Sequence, residues 1–306
     1  MSMSQEISGR ELERCPLLET SRELYTRDRD TIYPEEAYDL SDADFVAIRD
    51  ILHRIAGIYL TDSKRDLVRL RLARRLRDLG GIDFGQYLEI VRSPDGAREL
   101  SQMVDLLTTN KTNFFREPIH FDFLRDHLLP ELLSEGRPIR VWSAGCSTGE
   151  EAYSLAITIL DAVGRRKGHD IRILGTDISA RVIEVARAGV YDADAIDLVP
   201  DQIRNQYFRP VVQGDGEEGW EVIPEVRSLV RFARLNLMAP WPMRGHFDII
   251  FCRNVMLYFD LATRQRLVER LEAQLRPGGY LFIGHSESLG ALEHGLRYIQ
   301  PAVYRK

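Results

Sequence analysis

Val141-Trp142-Ser143-Ala144-Gly145-Cys146-Ser147-Thr148-Gly149-Glu150-Glu151 carries the chain from an apolar run through small residues into a helix start. That order lets a backbone approach a ligand closely and aims the unpaired N–H groups of a helix's first turn at it. The match to Gly-x-Gly-x-x-Gly is imperfect: Gly145 and Gly149 are present, and Ser147 stands where a further glycine is expected. Loop shape alone fits a tight strand-to-helix turn equally well.

Working outward, two more apolar runs frame this one. Residues 171–174 lead into Gly175 and Asp177, and residues 247–252 are almost wholly apolar, as a strand covered on both faces must be. Helical patterns fill the intervals: residue 150 to about 160, residues 179–188 closed by Gly189, and residues 263–275 closed by Pro277-Gly278. Strands alternating with helices of this length predict an α/β fold built on a doubly wound, mostly parallel sheet. Residues 191–230 break the alternation with Pro200, Pro210, Gly214, Gly216, Gly219 and Pro224, which predicts a small inserted subdomain of short strands. The final residues, Ile299 to Lys306, predict one last strand.

Upstream, Ser41-Asp42 starts a helix carrying Phe45, Ile48, Ile51, Leu52 and Ile55 at helical spacing, broken by Gly57. A second helix spans about residues 62–79 and ends at Gly80-Gly81, with Val68, Leu72, Leu76 and Leu79 in one stripe. More helix follows through Tyr87, Leu88, Val91, Leu100, Val104 and Leu107. Residues 1–40 show many charges and no sustained apolar period, and read as a tail. The expected organisation is therefore a charged tail over 1–40, a helical N-terminal domain over 41–108, and a ligand-binding α/β domain over 109–306 with its insertion at about 191–230.

With 306 residues, 44% hydrophobic and 29% charged, the chain is long enough for two modest domains and lacks the composition of a disordered one. No apolar run approaches a bilayer-spanning length, and the charged first thirty residues lack the apolar core of a signal peptide. A cytoplasmic location is the expectation. Cys15, Cys146 and Cys252 are too scattered for a disulfide framework, and neither they nor the seven histidines show metal-ligand spacing. A net charge of −6 speaks against a general nucleic-acid binder.

Asp177, at the end of the second strand, is placed to accept both hydroxyl protons of a ribose, although capping the helix near Ser179 is its bland alternative. Glu150 and Glu151 at the helix start would repel a pyrophosphate but suit a cation. That weakens the case for a dinucleotide and favours S-adenosylmethionine (SAM), which carries a sulfonium and an ammonium.

Further segments follow in order: Thr109-Asn110-Lys111-Thr112-Asn113-Phe114-Phe115-Arg116-Glu117, Gly175-Thr176-Asp177-Ile178, Phe251-Cys252-Arg253-Asn254-Val255-Met256-Leu257-Tyr258-Phe259, Pro277-Gly278-Gly279 and Gly284-His285-Ser286-Glu287. With the opening segment, they make residues 41–306 resemble the bacterial chemotaxis receptor methyltransferases, the CheR family. The resemblance implies SAM-dependent methyl esterification of glutamates on methyl-accepting chemoreceptors, yielding S-adenosylhomocysteine. It implies a helical N-terminal domain, a class I methyltransferase domain and a small β subdomain. It also implies that Asn110, Thr112 and Arg116 contact the cofactor, Arg116 at the methionine carboxylate. Glu150 would lie against the methionine end, Asp177 at the ribose, Asn236 and Leu237 beside the adenine, and Arg253 and Asn254 at the end of the fourth strand. Tyr258 would stand near the transferred methyl. Read without the resemblance, Asn110 and Thr112 are turn and cap residues, Arg116 pairs with a nearby carboxylate, and Tyr258 is a core ring.

The second helix is strongly basic, and Lys64, Arg71 and Arg75 fall within roughly 40° of one another on it at 100° per residue. The resemblance makes them a docking face for acidic receptor helices, where the bland reading is a solvated face. Membrane association would then come only through the receptor, and nothing in the sequence demands more than a monomer. Two alternatives remain at this point: a methyltransferase for another signalling protein, and a catalytically silent SAM-binding regulator. A serine hydrolase is disfavoured, because Ser288 occupies the last glycine position of a nucleophile elbow in Gly284-His285-Ser286-Glu287-Ser288.

Overall fold

The computed structural model describes residues 38–164, 169–213 and 216–306. Most of the tail expected over 1–40 lies outside the described residues, as does Cys15.

Four helices open the described chain: α1 (Asp42–Ala56), α2 (Arg65–Asp78, after a 3-10 turn at Asp62–Lys64), α3 (Phe84–Arg92) and α4 (Ala97–Leu107). Ser41 caps α1 by accepting from Asp44 N at 3.1 Å, and Asp83 with Gln86 forms a capping box on α3. The apolar stripe of each helix turns inward, so that Phe45, Ile48, Leu52, Val68, Leu72, Leu76, Tyr87 and Met103 share one core. Each such aliphatic side chain contributes about 1.5–3 kcal/mol on burial, which propensity alone does not give helices this short.

The α/β part begins with a short irregular helical stretch, α5 (Ile119–Phe123), a π turn (Leu124–Leu128) and α6 (Leu129–Ser134). There follow β1 (Ile139–Ala144), α7 (Glu150–Val163), β2 (Ile171–Asp177), α8 (Ala180–Ala188), β3 (Val190–Tyr191), α9 (Ala193–Ile196), α10 (Asp201–Tyr207), β4 (Phe208–Val212), β5 (Glu218–Val222), α11 (Pro224–Leu229) and β6 (Val230–Arg234). The chain closes with β7 (Phe247–Cys252), a 3-10 turn (Met256–Tyr258), α12 (Leu261–Gln274), β8 (Leu275–Ile283), β9 (Arg297–Gln300) and β10 (Val303–Arg305).

Seven strands form one sheet in the order β6-β2-β1-β7-β8-β10-β9. The first five run parallel, and β10 pairs antiparallel with both β8 and β9. Central β7 is buried at every position, as its unbroken apolar run requires. One face packs against α7 and α11 through Leu155, Ile159 and Val226, and the other against α12 through Leu267, Val268 and Leu271. This is the class I methyltransferase arrangement. β3, β5 and β4 make a separate three-stranded antiparallel sheet inside residues 191–230, extended by one residue at its start.

Two local expectations change. α12 ends at Gln274 and the chain enters β8 at Leu275, so Pro277-Gly278 lies within a strand rather than closing a helix. Gly278 N donates to Lys306 O and Lys306 N to Gly279 O, both at 2.9 Å, so pairing with the chain's own end overrides the turn signal. That end supplies two strands, β9 and β10, where one is expected from the sequence.

Candidate active site

β1 has β2 on one side and β7 on the other, so the chain departs in opposite directions from its C-terminal end. Open α/β sheets gather ligands at such a switch point. A cavity of about 360 Å³ lies there, roofed by the helical module through Ala56, Ile58, Tyr59 and Leu60. Asn110, Thr112, Arg116, Asp177, Asn236, Leu237, Arg253, Asn254, Tyr258 and Lys64 all line it.

The floor is the turn after β1. Gly145 has φ +85°, and a Cβ there would lie 2.4 Å from Val255 Cγ2, so only glycine keeps both the turn and the space. Ser147, at φ +49°, donates its N–H to Asp177 Oδ2 at 3.0 Å, and Ser179 N donates to Oδ1 at 3.0 Å. Burial pushes the Asp177 carboxyl above its ordinary value while those two donors oppose the rise. A carboxylate has about four acceptor sites, so these bonds leave it capacity to accept from a ligand. Ser147 Oγ also donates to Asn110 O at 2.7 Å, tying the segment between the two modules to the floor.

The far end of the site is charged. Arg253 is buried, with Nη2 3.1 Å from Glu117 Oε2 and Nη1 3.5 Å from Glu151 Oε2. Its Nη2 also donates to Arg116 O. Ser143 Oγ donates to Glu151 Oε1 at 2.6 Å. Burial pushes the Glu151 carboxyl up against the pull of Arg253. At Glu117 burial acts in the same sense, but Arg253 and the His285 N–H prevail and hold the carboxyl low. Asn254 sits at φ +59°, with its N–H on Glu287 Oε2 at 2.9 Å. A non-glycine residue in that region costs on the order of 1–3 kcal/mol and persists where surroundings over-determine it.

Glu117, His120 and His285 bring three donor atoms within 4.8 Å of one another. Burial and Arg253 push the His120 imidazole down to about 3, so it is neutral. The guanidinium 3.1 Å from the same Glu117 oxygen already supplies the positive charge there, so the cluster gains nothing from a cation.

Three residues differ from their expected places. Glu150 does not face the cavity. It is buried beside Thr148, whose Oγ1 lies 2.6 and 2.9 Å from its two oxygens, and Glu151 takes the cavity-facing position. Adjacent helical residues point about 100° apart, and the sequence does not say which of two consecutive carboxylates the strand-to-helix turn aims inward. Arg75 is spent within the helical module: Nε and Nη2 donate to Glu99 at 2.9 and 2.6 Å. Arg71 Nη1 donates to Thr108 O at 2.9 Å. Both fasten α2 to α4 and the segment beyond it, because the arc beside the apolar stripe is where α4 packs. Lys64 alone of the three is exposed and lies at the cavity mouth. Asn236 reaches the cavity but uses its amide structurally, donating to Ile55 O at 2.7 Å and accepting from Met238 N at 2.8 Å. The sequence reading paired Glu151 with Glu150 as charge for a cation without choosing between them, noted Ser147 only as an imperfect match in the loop, and gave Glu117 and Tyr59 no role. Glu117 stands in a quoted motif, so a signal existed for it, and none existed for Tyr59, which the fold alone brings here.

The family model described as "CheR methyltransferase, SAM binding domain" matches residues 110–304, and "CheR methyltransferase, all-alpha domain" matches residues 43–108. The chain belongs to the CheR methyltransferase family. It is 42% identical to the chemotaxis protein methyltransferase of Escherichia coli, over 87% of this chain and 91% of that one. It is 40% identical to chemotaxis protein methyltransferase 2 of Pseudomonas aeruginosa (89% and 96%) and 38% identical to the chemotaxis protein methyltransferase of Borreliella burgdorferi (84% and 91%). This CheR-family chain is a SAM-dependent methyltransferase, and its donor set fits that cofactor. Asp177 offers acceptor lone pairs for a diol, Glu151 offers negative charge for an ammonium, Arg116 offers a guanidinium for a carboxylate, and Ile178 and Leu237 offer apolar walls for a ring. Among the described residues no helix is long and apolar enough to cross a membrane.

Proposed function

We propose that the protein transfers the methyl group of SAM to glutamate side-chain carboxylates on chemoreceptor helices, forming methyl esters for sensory adaptation. One observation carries the reading: a cavity with a charged end suited to the methionine part of SAM opens beside a basic helix, so cofactor and acidic substrate meet at its mouth. In this reading residues 41–108 recognise the substrate and residues 109–306 bind SAM and host the transfer, with the insertion at about 191–230 carried alongside. The protein works in the cytoplasm as a monomer and reaches the membrane only through the receptor.

SAM supplies an electrophilic methyl on a sulfonium, open to in-line displacement. The chain's residues do the holding. Asp177 accepts the ribose hydroxyls, and Asn236 and Leu237 border the adenine. Arg116 pairs with the methionine carboxylate, with Asn110 and Thr112 at the same end. Glu151 meets the ammonium, and Arg253 with Asn254 fixes Glu151, Glu117 and the turn that leads to Tyr258. Tyr258, partly exposed at the mouth, stands beside the methyl and helps exclude water. The receptor glutamate, with an ordinary pKa of about 4.3, is already an anion at neutral pH, so no general base is required. Rate enhancement then comes from placement and desolvation. Lys64, in the turn that leads into α2, and Leu67 line the cavity, Arg71 and Arg74 follow them at helical spacing, and exposed Lys64 and Arg74 steer an acidic helix there.

The test uses methyl-labelled SAM with membranes bearing chemoreceptors, followed by alkali. Label on a receptor band, released as volatile methanol and lost with Asp177→Ala protein, is the expected result. SAM binding by calorimetry without any alkali-labile receptor label overturns the glutamate reading.

A further inference from the structure

The stretch that carries Tyr258 is gripped by the helical module. α1 ends at Gly57, φ +72°, where a Cβ would lie 2.8 Å from Met238 Sδ and 2.9 Å from Thr263 Cγ2, so the helix end is pressed onto the start of α12 and the turn after β6. Just beyond, Ile58 and Phe259 form an antiparallel bridge, and Tyr59 N donates to Tyr258 O at 2.7 Å. One turn before Gly57, His53 Nε2 lies 2.5 Å from Asp260 Oδ2. The other oxygen of Asp260 caps α12 by accepting from Thr263 N at 2.7 Å. From the opposite side, Glu287 holds the strained turn at Asn254. Tyr258 is thus suspended between a fixed turn behind it and two bonds from another module ahead of it.

We propose that His53, acting through Asp260, is a positioning residue for Tyr258, so that the helical module sets the geometry of methyl transfer as well as offering a docking face. The inference rests on the reading above that Tyr258 stands beside the transferred methyl. His53 does not line the cavity; it fixes Asp260, two residues beyond Tyr258, where α12 begins. A misplacement of about 1 Å at a reacting centre costs up to about 10²-fold, and here the Tyr59 bond limits the movement.

The experiment compares His53→Ala, His53→Gln and Ser101→Ala. Ser101 Oγ accepts from Arg234 Nη2 at 2.7 Å, a second tie between the same modules that does not touch the Tyr258 stretch. His53→Ala is expected to lower kcat on receptor about three- to tenfold while the SAM Kd stays within about twofold. His53→Gln, which keeps an N–H donor on a side chain of similar reach, restores most of kcat, and Ser101→Ala behaves as the parent. Amide hydrogen exchange across residues 255–262 quickens in His53→Ala alone. Parent-like kcat in His53→Ala, equal loss of kcat and SAM affinity, no rescue by glutamine, or the same loss in Ser101→Ala each overturns the assignment. Should the parent itself form no receptor ester, the function reading fails separately, and unchanged exchange in His53→Ala then refutes the positioning role.

Discussion

Glu150 and Glu151 are adjacent carboxylates with opposite assignments, and exchanging each for glutamine separates them. Glu150 is 4% exposed, and burial raises its carboxyl from 4.5 to about 7, with Asp192 adding to the rise and Thr148 opposing it. The folded state therefore holds that proton more tightly than the unfolded chain. The stability this contributes is fully present below pH 4.5 and is lost as pH rises through about 7. At about 1.4 kcal/mol per pH unit, the loss reaches about 3 kcal/mol by pH 8. Glutamine does not titrate and can both accept from and donate to Thr148 Oγ1. Glu150→Gln should gain on the parent by about 3 kcal/mol between pH 4 and pH 8 in urea denaturation, with the difference confined to the window from 4.5 to about 7. Its SAM affinity should match the parent's. Glu151→Gln removes a cavity-facing charge, and loss of a charge-assisted hydrogen bond of about 1.5–3 kcal/mol predicts a SAM Kd weaker by about 10- to 150-fold in calorimetry. Equal loss of SAM affinity in the two variants would refute the geometric assignment. A pH-independent difference between parent and Glu150→Gln would refute the burial argument.

Arg253→Met removes the buried cation that faces the partly buried Glu117 and Glu151 and should lower stability by up to about 3–5 kcal/mol in denaturant, with Glu117→Gln in the same chain recovering part of it. Asp177→Ala and Arg116→Ala should each weaken SAM binding in calorimetry by at least about tenfold, and unchanged affinity in both would defeat their placement. Arg74→Glu should raise the KM for receptor with the SAM Kd unchanged, whereas Arg75→Glu sets a second carboxylate against Glu99 and should lower the denaturation midpoint before any kinetic effect is read.

Much of the fold was legible because hydrophobic period and punctuation agree along the chain. The unbroken apolar run at β7 is a strand buried on both faces, and the stripe on α2 is core. Where reading and structure part, a partner distant in sequence decides. Pro277-Gly278 signals a turn, but the C-terminal residues donate and accept across it and hold it in β8. Ile299 to Lys306 reads as one strand although Pro301 is a turn signal, because the left-handed position after it, at φ +63°, is held by Ala302 where glycine would be the usual mark of the reversal.

The site shows the same division at finer grain. Residues whose backbone defines a motif, such as Gly145, Ser147 and Asp177, can be placed from spacing, because the strand-to-helix turn fixes them relative to the sheet. Side chains whose role depends on a facing helix cannot. Arg71 and Arg75 carry the same charge as Lys64 and share its arc, and nothing local distinguishes a docking arginine from a strut. The difference lies in Glu99 and the Thr108 carbonyl, which face them only once α4 has folded back on α2. Arg71 and Arg75 therefore hold the helical module in shape, and the exposed charge of the proposed docking face sits at Lys64, which lines the cavity, and at Arg74. In the proposed reading that confines substrate attraction to part of the basic helix. Salt should therefore weaken receptor capture through few charges, with a correspondingly shallow dependence.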